Sequence, residues 1–228
     1  MITETVRVAV DMAVFTVRDN RLWILMIRRG KTPYEGMLAL PGGFLEPGED
    51  LDQAAYRELT EETSVLPEHM HLEQFHSYGS PGRDPRGRVV AVAYFALIPT
   101  PPTTEAGGDA AEVEWTPVDD LLRADADIAF DHRRIVADAV ERVQAKLEHT
   151  TVATRFCGEI FTISQLRQVY EAVWDRSLDP ANFYRKVTKI ADFVVSTGQT
   201  TSIGGGRPAG LYRAGDARTL EPPMYRPR

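Results

Sequence analysis

The chain has 228 residues, which at roughly 100–200 residues per domain leaves room for one large domain or two modest ones. Its apolar share of 43% and charged share of 26% are those of a globular protein and exclude wholesale disorder. The net charge of −7 argues against nucleic acid as a sum, yet it divides unevenly: residues 1–150 carry 15 basic and 26 acidic side chains, residues 151–228 carry 11 and 7. Halves of opposite sign suggest two modules with different partners. The lone cysteine, Cys157, leaves no internal disulfide to form. The N-terminus lacks the basic-then-apolar build of a secretory signal. The longest apolar stretch, Val89 to Pro99, falls far short of the roughly 20 residues that span a bilayer. A cytoplasmic protein without membrane contact is expected.

In chain order, Val6 to Val17 and Leu22 to Ile27 are apolar, β-branched runs around the polar turn Arg18-Asp19-Asn20-Arg21, and read as a strand pair. A Gly/Pro-containing loop from Gly30 leads to Leu38 and on to Gly42-Gly43. Leu51 to Thr63 has no Gly or Pro and is predicted helical. Val89 to Ile98 is a third strand and Glu112 to Pro117 a fourth, with an exposed loop over Thr100 to Gly108 between them. Asp131 has the place of an N-cap for a long helix whose apolar stripe is Val136, Val140, Val143 and Leu147. A domain boundary falls near His149 to Arg155, giving domains 1–149 and 150–228.

Within the first helix, Glu58, Glu61 and Glu62 stand at i, i+3 and i+4, so three carboxylates share one face. Like charges at that spacing destabilise a bare helix. A hard divalent cation, Mg²⁺ or Mn²⁺, would neutralise them and bridge to substrate phosphates. Three glutamates alone read equally well as a solvated acidic face; the Gly-Gly loop ahead of them favours the ion.

From Gly43 to Val65 the residues run Gly, five residues, Glu49, seven residues, then Arg57-Glu58-Leu59-Thr60-Glu61-Glu62-Thr63-Ser64-Val65. This stretch resembles the Nudix box, with Ser64 where the pattern has Gly. The resemblance implies a Nudix α/β/α sandwich over roughly residues 1–145 and a ligand built on a nucleoside diphosphate. It places Glu58, Glu61 and Glu62 as metal ligands and, if the site is active, catalytic residues, with Arg57 and Glu49 in support. A glycine at position 64 would end the helix in a left-handed conformation that costs serine roughly 1 kcal/mol or more, so a shifted helix end is expected. The segments Leu25 to Gly30, Arg83 to Arg88 and Phe130-Asp131-His132 resemble those of ADP-ribose pyrophosphatases. That likeness makes Arg28, Arg29, Arg83 and His132 candidate effector contacts, against the plainer reading of surface charge and a structural histidine. Glu105, Glu112 and Glu114 are unranked candidates for a general base.

The basic half opens with Thr162-Ile163-Ser164-Gln165, a capping box that starts a helix with Leu166, Val169, Tyr170 and Val173 on its apolar face. After Arg176-Ser177-Leu178, Asp179 as N-cap and Pro180 at the first position open a second helix, in which Phe183, Val187 and Ile190 recur on the buried side. Asn182, Arg185, Lys186 and Lys189 occupy the other side. Two such helices fit a helix-turn-helix whose second helix enters the major groove, where Asn reads adenine and Arg reads guanine. The strands Asp192 to Gly198 and Ala209 to Arg213 flank a Gly-rich tip containing Arg207, which makes a β-wing. Arg207 at its tip and Arg213 are further DNA-binding candidates. Phe161 to Glu171, Asn182 to Val187 and Gly206 to Arg213 resemble the winged-helix half of the Nudix-related transcriptional regulators, NrtR. The whole chain thus reads as α+β, a Nudix sandwich followed by a winged helix-turn-helix. The resemblance implies a dimeric repressor of NAD-metabolism genes that binds palindromic operator DNA and senses ADP-ribose or a related nucleotide. The alternative is a Mg²⁺-dependent ADP-ribose pyrophosphatase whose second domain only dimerises or covers the substrate.

Overall fold

The computed structural model describes residues 4–63, 70–99, 110–201 and 208–227. Ser64, Glu105, the 100–108 loop and the wing tip with Arg207 lie outside the described residues. The chain divides into two compact units, Met1–Thr16 with Trp23–Ala139, and Val17–Leu22 with Val140–Arg228.

The first unit is built on a mixed sheet. Strands β1 (Arg7–Arg18) and β2 (Arg21–Arg29) are followed by two short strands, β3 (Leu38–Ala39) and β4 (Gly42–Phe44). The turn between β1 and β2 holds Asp19 and Asn20 at φ 50° and 57°, the left-handed pair that a two-residue hairpin requires. Helix α1 (Leu51–Thr63) comes next, then β5 (His71–Tyr78), β6 (Val89–Leu97), β7 (Ala110–Pro117) and the one-turn α2 (Val118–Leu121). The order is β3-β2-β1-β6-β5, with β4 on β1 and β7 on β2. β1 and β6 run parallel from Arg7 opposite Val89 to Phe15 opposite Leu97. Both strands are almost wholly buried, as parallel strands covered on both faces must be, which is why they read as unbroken apolar runs. α1 buries Ala54, Ala55 and Leu59 against Val10, Met12, Val92 and Tyr94. The Tyr94 hydroxyl donates to Asp52 at 2.7 Å and fixes the helix's first turn on the sheet.

β5 is absent from the sequence reading. It is an edge strand antiparallel to β6, and in His71-Leu-Glu-Gln-Phe-His-Ser-Tyr78 only Tyr78 is fully buried. Pairing with β6, not local pattern, makes it a strand. Helix α3 (His132–His149) follows. Asp131 does stand before it, its carbonyl accepting from Arg134 and Ile135. Of the expected stripe, Val136, Val143 and Leu147 are buried, Ile135 and Ala139 join them, and only Val140 is half-exposed. α3 belongs to the first unit through Ala139 and to the second from Val140.

In the second unit a short 3₁₀ turn (Thr151–Phe156) leads to β8 (Phe161–Thr162), α4 (Ile163–Trp174), α5 (Pro180–Lys189), β9 (Val194–Thr201) and β10 (Ala209–Ala214). The strands form an antiparallel sheet in the order β8-β10-β9. The capping box is present: the Thr162 hydroxyl accepts from Gln165 N–H at 3.2 Å, and the Gln165 side chain accepts from Thr162 N–H at 2.7 Å. Asp179 caps α5 through Asn182 N–H at 2.8 Å, with Pro180 first in the helix. The ring of Tyr170 lies between Trp174 and Phe183, centroids 4.8 and 5.3 Å away, and joins α4 to α5. Its hydroxyl donates to the Leu147 carbonyl at 3.2 Å, tying in the end of α3.

Candidate functional site

The first unit contains a cavity of about 460 Å³ bordered by β1, β4, α1, the 83–86 loop and the start of α3. One wall is the carboxylate face of α1. Glu58, Glu61 and Glu62 all line it, as their helical spacing predicts. The glycines of β4 explain how they are seated. A Cβ on Gly43 would stand 2.0 Å from a Glu58 carboxylate oxygen, and one on Gly42 2.1 Å from the Val10 carbonyl. Only bare backbone lets the strand and the acidic helix approach this closely. Gly42 N–H donates to Glu62 at 2.8 Å.

Arg57 organises the rest of that wall. It bonds Glu49 at 2.7 and 2.8 Å, Glu58 at 2.9 Å, Glu61 at 3.3 Å and the Phe44 carbonyl at 3.1 Å. The bond to Glu49 foremost raises the Arg57 guanidinium, and the same bond holds the Glu49 carboxyl down at about 2. Burial pushes Glu58 above the usual carboxylate range, and Arg57 opposes that only in part. Clustered glutamates therefore already have an internal counter-cation. Among the described residues no three His, Cys, Asp or Glu side chains are gathered as a metal cage. In kind the three carboxylates fit a hard divalent ion, since they are oxygen donors bordering one cavity. To hold one, Glu58 and Glu61 would exchange Arg57 for it.

The opposite wall is a buried charge network that includes a residue missed in the sequence. Asp11 of β1, only 6% exposed, accepts from Arg83 at 3.3 Å and lies 3.6 Å from His132 Nε2. Arg83 also grips Asp131 with a fork of 2.6 and 3.0 Å. Burial alone would lower Arg83, but the bonds to Asp131 and Asp11 outweigh it and raise the guanidinium. His132 Nδ1 accepts Leu40 N–H at 2.9 Å. Burial lowers its pKa, so the ring is neutral and carries its hydrogen on Nε2, toward Asp11. A lone carboxylate inside an apolar strand, as in Val10-Asp11-Met12, is the signal that points to such a network, because a buried charge requires partners.

At the rim, the Arg29 and Arg86 guanidiniums stack on Phe130 at 4.9 and 5.3 Å, and Arg7 and Arg86 stack on Phe44 at 4.3 and 4.9 Å. Arg86 also forks onto buried Asp84 at 2.7–3.1 Å. Of the four candidate effector residues, Arg29, Arg83 and His132 line the cavity and Arg28 does not. Alternation along β2 sends Arg28 the other way, where it pairs with Glu112 and Glu114 at 3.4 and 3.3 Å. Those two glutamates are equally absent from the cavity lining.

In the second unit, Asn182, Arg185, Lys186 and Lys189 are all exposed on α5 while Phe183, Val187 and Ile190 are buried. Arg185 bonds the Asn182 side chain. Among the described residues no carboxylate pairs with Arg185, Lys186, Lys189 or Arg213, which leaves a concentrated positive face. Arg213 is exposed on β10.

Residues 5–139 match the NUDIX domain family, and residues 153–214 match the NrtR DNA-binding winged helix domain. The chain is 36% identical over 206 residues to the ADPR responsive transcriptional repressor NtrR of Acinetobacter baylyi, covering 90% of this chain and 80% of that one. Shewanella oneidensis NrtR, in its crystal structure with a 27mer DNA, superposes with a TM-score of 0.79 at 32% identity, covering 92% of this chain and 96% of that one. The NUDIX domain of the same protein in complex with ADP ribose gives a TM-score of 0.57 at 33% identity over 62% of this chain and 90% of that one. With both domains matched in order and a full-length relative alike across nearly the whole chain, this protein belongs to the NrtR family of transcriptional regulators, a Nudix sensor domain joined to a DNA-binding winged helix.

Proposed function

We propose that the chain is a repressor of NAD-metabolism genes that binds palindromic operator DNA as a dimer and senses ADP-ribose, or a closely related nucleotide, in the Nudix cavity. The observation that carries this reading is one chain holding an arginine-lined cavity and, in its other unit, a helix with Arg185, Lys186 and Lys189 exposed and without a carboxylate partner among the described residues. Arg29 and Arg86 at the rim meet the ligand's diphosphate, and Phe44 and Phe130 offer apolar faces to its rings. Arg83 and His132 form the floor. Glu58, Glu61 and Glu62 are the residues to hold Mg²⁺ or Mn²⁺, whose chemistry there is to polarise a bound diphosphate. Asn182, Arg185, Lys186 and Lys189 read the major groove, with Arg207 and Arg213 of the wing in support. Support for the ligand comes from the ADPR responsive relative and the ADP-ribose complex of the related NUDIX domain. No described helix is long and apolar enough to cross a membrane.

A ligand changes DNA affinity only by binding the free and DNA-bound arrangements unequally. α3 is the element to carry that difference, since it starts at His132 on the cavity floor and continues into the second unit. The test is a DNA-shift titration on the region upstream of the chain's own gene, at fixed salt, with and without ADP-ribose. Operator affinity unchanged by saturating ADP-ribose would sink the sensor reading.

A second reading, hydrolysis of ADP-ribose by water to AMP and ribose 5-phosphate, is favoured by the three glutamates lining the cavity. Incubation with ADP-ribose and Mg²⁺ separates the two, with Glu62→Gln as control. Turnover that disappears in the control establishes the enzyme, and absence of turnover in the natural protein removes it.

A further inference from the structure

At about 100° per residue, the exposed arc of α5 has three strips: Asn182 and Lys186 on one flank, Arg185 and Lys189 along the middle, Tyr184 and Thr188 on the other flank. The Tyr184 flank faces the wing. Its hydroxyl lies 3.1 Å from that of Tyr212 on β10. Tyr212 reaches so far because its ring lies down along the strand over Gly210, where an added Cβ would come within 3.3 Å of the ring. The pairing of β10 with β9 shifts register between those same two residues. Gly210, the register shift and Tyr212 together bring a phenol of the wing onto the recognition helix. Nothing in the DNA-reading argument for Asn182 and the cations uses this pair.

A phenol can donate one hydrogen and accept others. Two hydroxyls sharing one hydrogen bond therefore leave one hydrogen over. The hydrogen bond with Tyr184, and then burial, raise the Tyr212 phenol. Tyr184 is 51% exposed and Tyr212 only half-buried within the wing. Either hydroxyl can donate in the pair; with Tyr212 donating, the leftover hydrogen stays on Tyr184, the more exposed of the two, at the seam between recognition helix and wing. Thr188 offers no rival donor on this flank, since its hydroxyl donates back to the Tyr184 carbonyl at 2.8 Å.

We propose that Tyr184, held by Tyr212, is an uncharged contact to a DNA backbone phosphate at the helix–wing seam. The proposal rests on the assignment of this unit as a DNA-binding winged helix. When the face carrying Asn182, Arg185, Lys186 and Lys189 enters the groove, the Tyr184 flank beside it meets a sugar–phosphate strand, and tyrosine hydroxyls are among the groups that donate to phosphate oxygens. A neutral donor fixes the register of the helix without releasing counterions. It adds affinity that salt does not remove.

The experiment measures binding of the full chain to a fluorescein-labelled duplex of mixed sequence by anisotropy across a salt series. A phosphate contact needs no particular operator, so this probe suffices. Tyr184→Phe is expected to weaken binding about three- to tenfold, the worth of one hydrogen bond, with the salt slope unchanged. Tyr212→Phe removes the tether but leaves the Tyr184 hydrogen in place, so its loss is smaller. The double variant matches Tyr184→Phe. Equal losses in the two single variants would mean that the pair only ties wing to helix, and would overturn the contact. Unchanged affinity in Tyr184→Phe, or a shallower salt slope, overturns it as well. Should the natural chain fail to bind any duplex, the DNA-binding assignment falls and the proposal falls with it. Natural binding with unaltered variants removes the proposal alone.

Discussion

Arg83→Met tests whether the charge network under the cavity is a structural necessity. The guanidinium is 5% exposed and serves two carboxylates, Asp11 at 9% and Asp131 at 23% exposure. Methionine fills a similar volume without charge and strands both acids. Breaking a buried pair by removing one partner costs about 3–5 kcal/mol; because Asp131 keeps some contact with water, about 3 kcal/mol is expected here. For a domain of this size that lowers the melting temperature of the first unit by about 6–12 °C. Adding Asp11→Asn to the variant removes the stranded charge and should restore part of the loss. Scanning calorimetry on the chain, natural and variant, at neutral pH, measures both effects. A cost below about 1 kcal/mol, the range of ordinary surface substitutions, would refute the reasoning. So would a double variant less stable than the single one.

Gly43→Ala places a methyl where the Glu58 carboxylate now sits, 2.0 Å from its oxygen; the carboxyl must swing into solvent, and its titration, raised by burial, should fall toward the ordinary range by NMR. Glu49, depressed to about 2 chiefly by its bond from Arg57, contributes stability that is complete above its usual 4.5 and lost as pH falls through 2; a Glu49 carboxyl titrating near 4.5 in the folded chain would contradict this. Thr162→Ala removes the hydroxyl that caps α4 and should cost about 1 kcal/mol in the unfolding of the second unit, read by urea denaturation. Arg185→Ala should lose about 1–3 kcal/mol of operator binding with relaxed sequence preference if it reads a base, whereas a uniform loss with a shallower salt slope would assign it to phosphate.

Local signals in the sequence carried the elements that local chemistry determines. The helix Leu51–Thr63, the capping box at Thr162 and Gln165, and the Asp179-Pro180 start each depend on residues within one turn, and each is present as read. β5 was illegible for the opposite reason. Its backbone is satisfied by β6 across a long connection, and an edge strand facing water needs few apolar residues. In α3, Val136, Val143 and Leu147 are buried as read, and the place of Ile135 and Ala139 beside them, with Val140 half-exposed, reflects what the helix packs on. In the site, Glu58, Glu61 and Glu62 were readable because helical spacing alone puts them on one wall. Arg28 and Arg29 could be separated by the same kind of reasoning: a strand's period of two forbids both from facing one cavity. Asp11 and Arg83 are 72 positions apart, so no spacing rule joins them.

Three glutamates on one helical face call for a counter-ion, and the protein already supplies one in Arg57. Arg57 spans Glu49, Glu58 and Glu61, while Arg83 and Arg86 are matched to Asp11, Asp131 and Asp84. An anionic ligand would therefore enter a cavity in which Arg57, Arg83 and Arg86 already have carboxylate partners, and it draws on any of these three only by loosening an existing pair. The weakest of these is Arg57 to Glu61, at 3.3 Å with Glu61 55% exposed; the firmest joins Arg83 to Asp131 at 2.6 Å, immediately before α3. Loosening the first costs little, since exposed pairs contribute at most about 1 kcal/mol, and it also frees Glu61 to take a metal. Loosening the second is expensive and would release the start of α3. On the proposed sensor reading, a ligand met by Arg29 and Arg57 alone leaves the Arg83–Asp131 pair ahead of α3 intact, whereas one that draws on Arg83 breaks it. On that reading, discrimination between ligands that signal and ligands that merely bind lies in how far a diphosphate reaches toward the cavity floor.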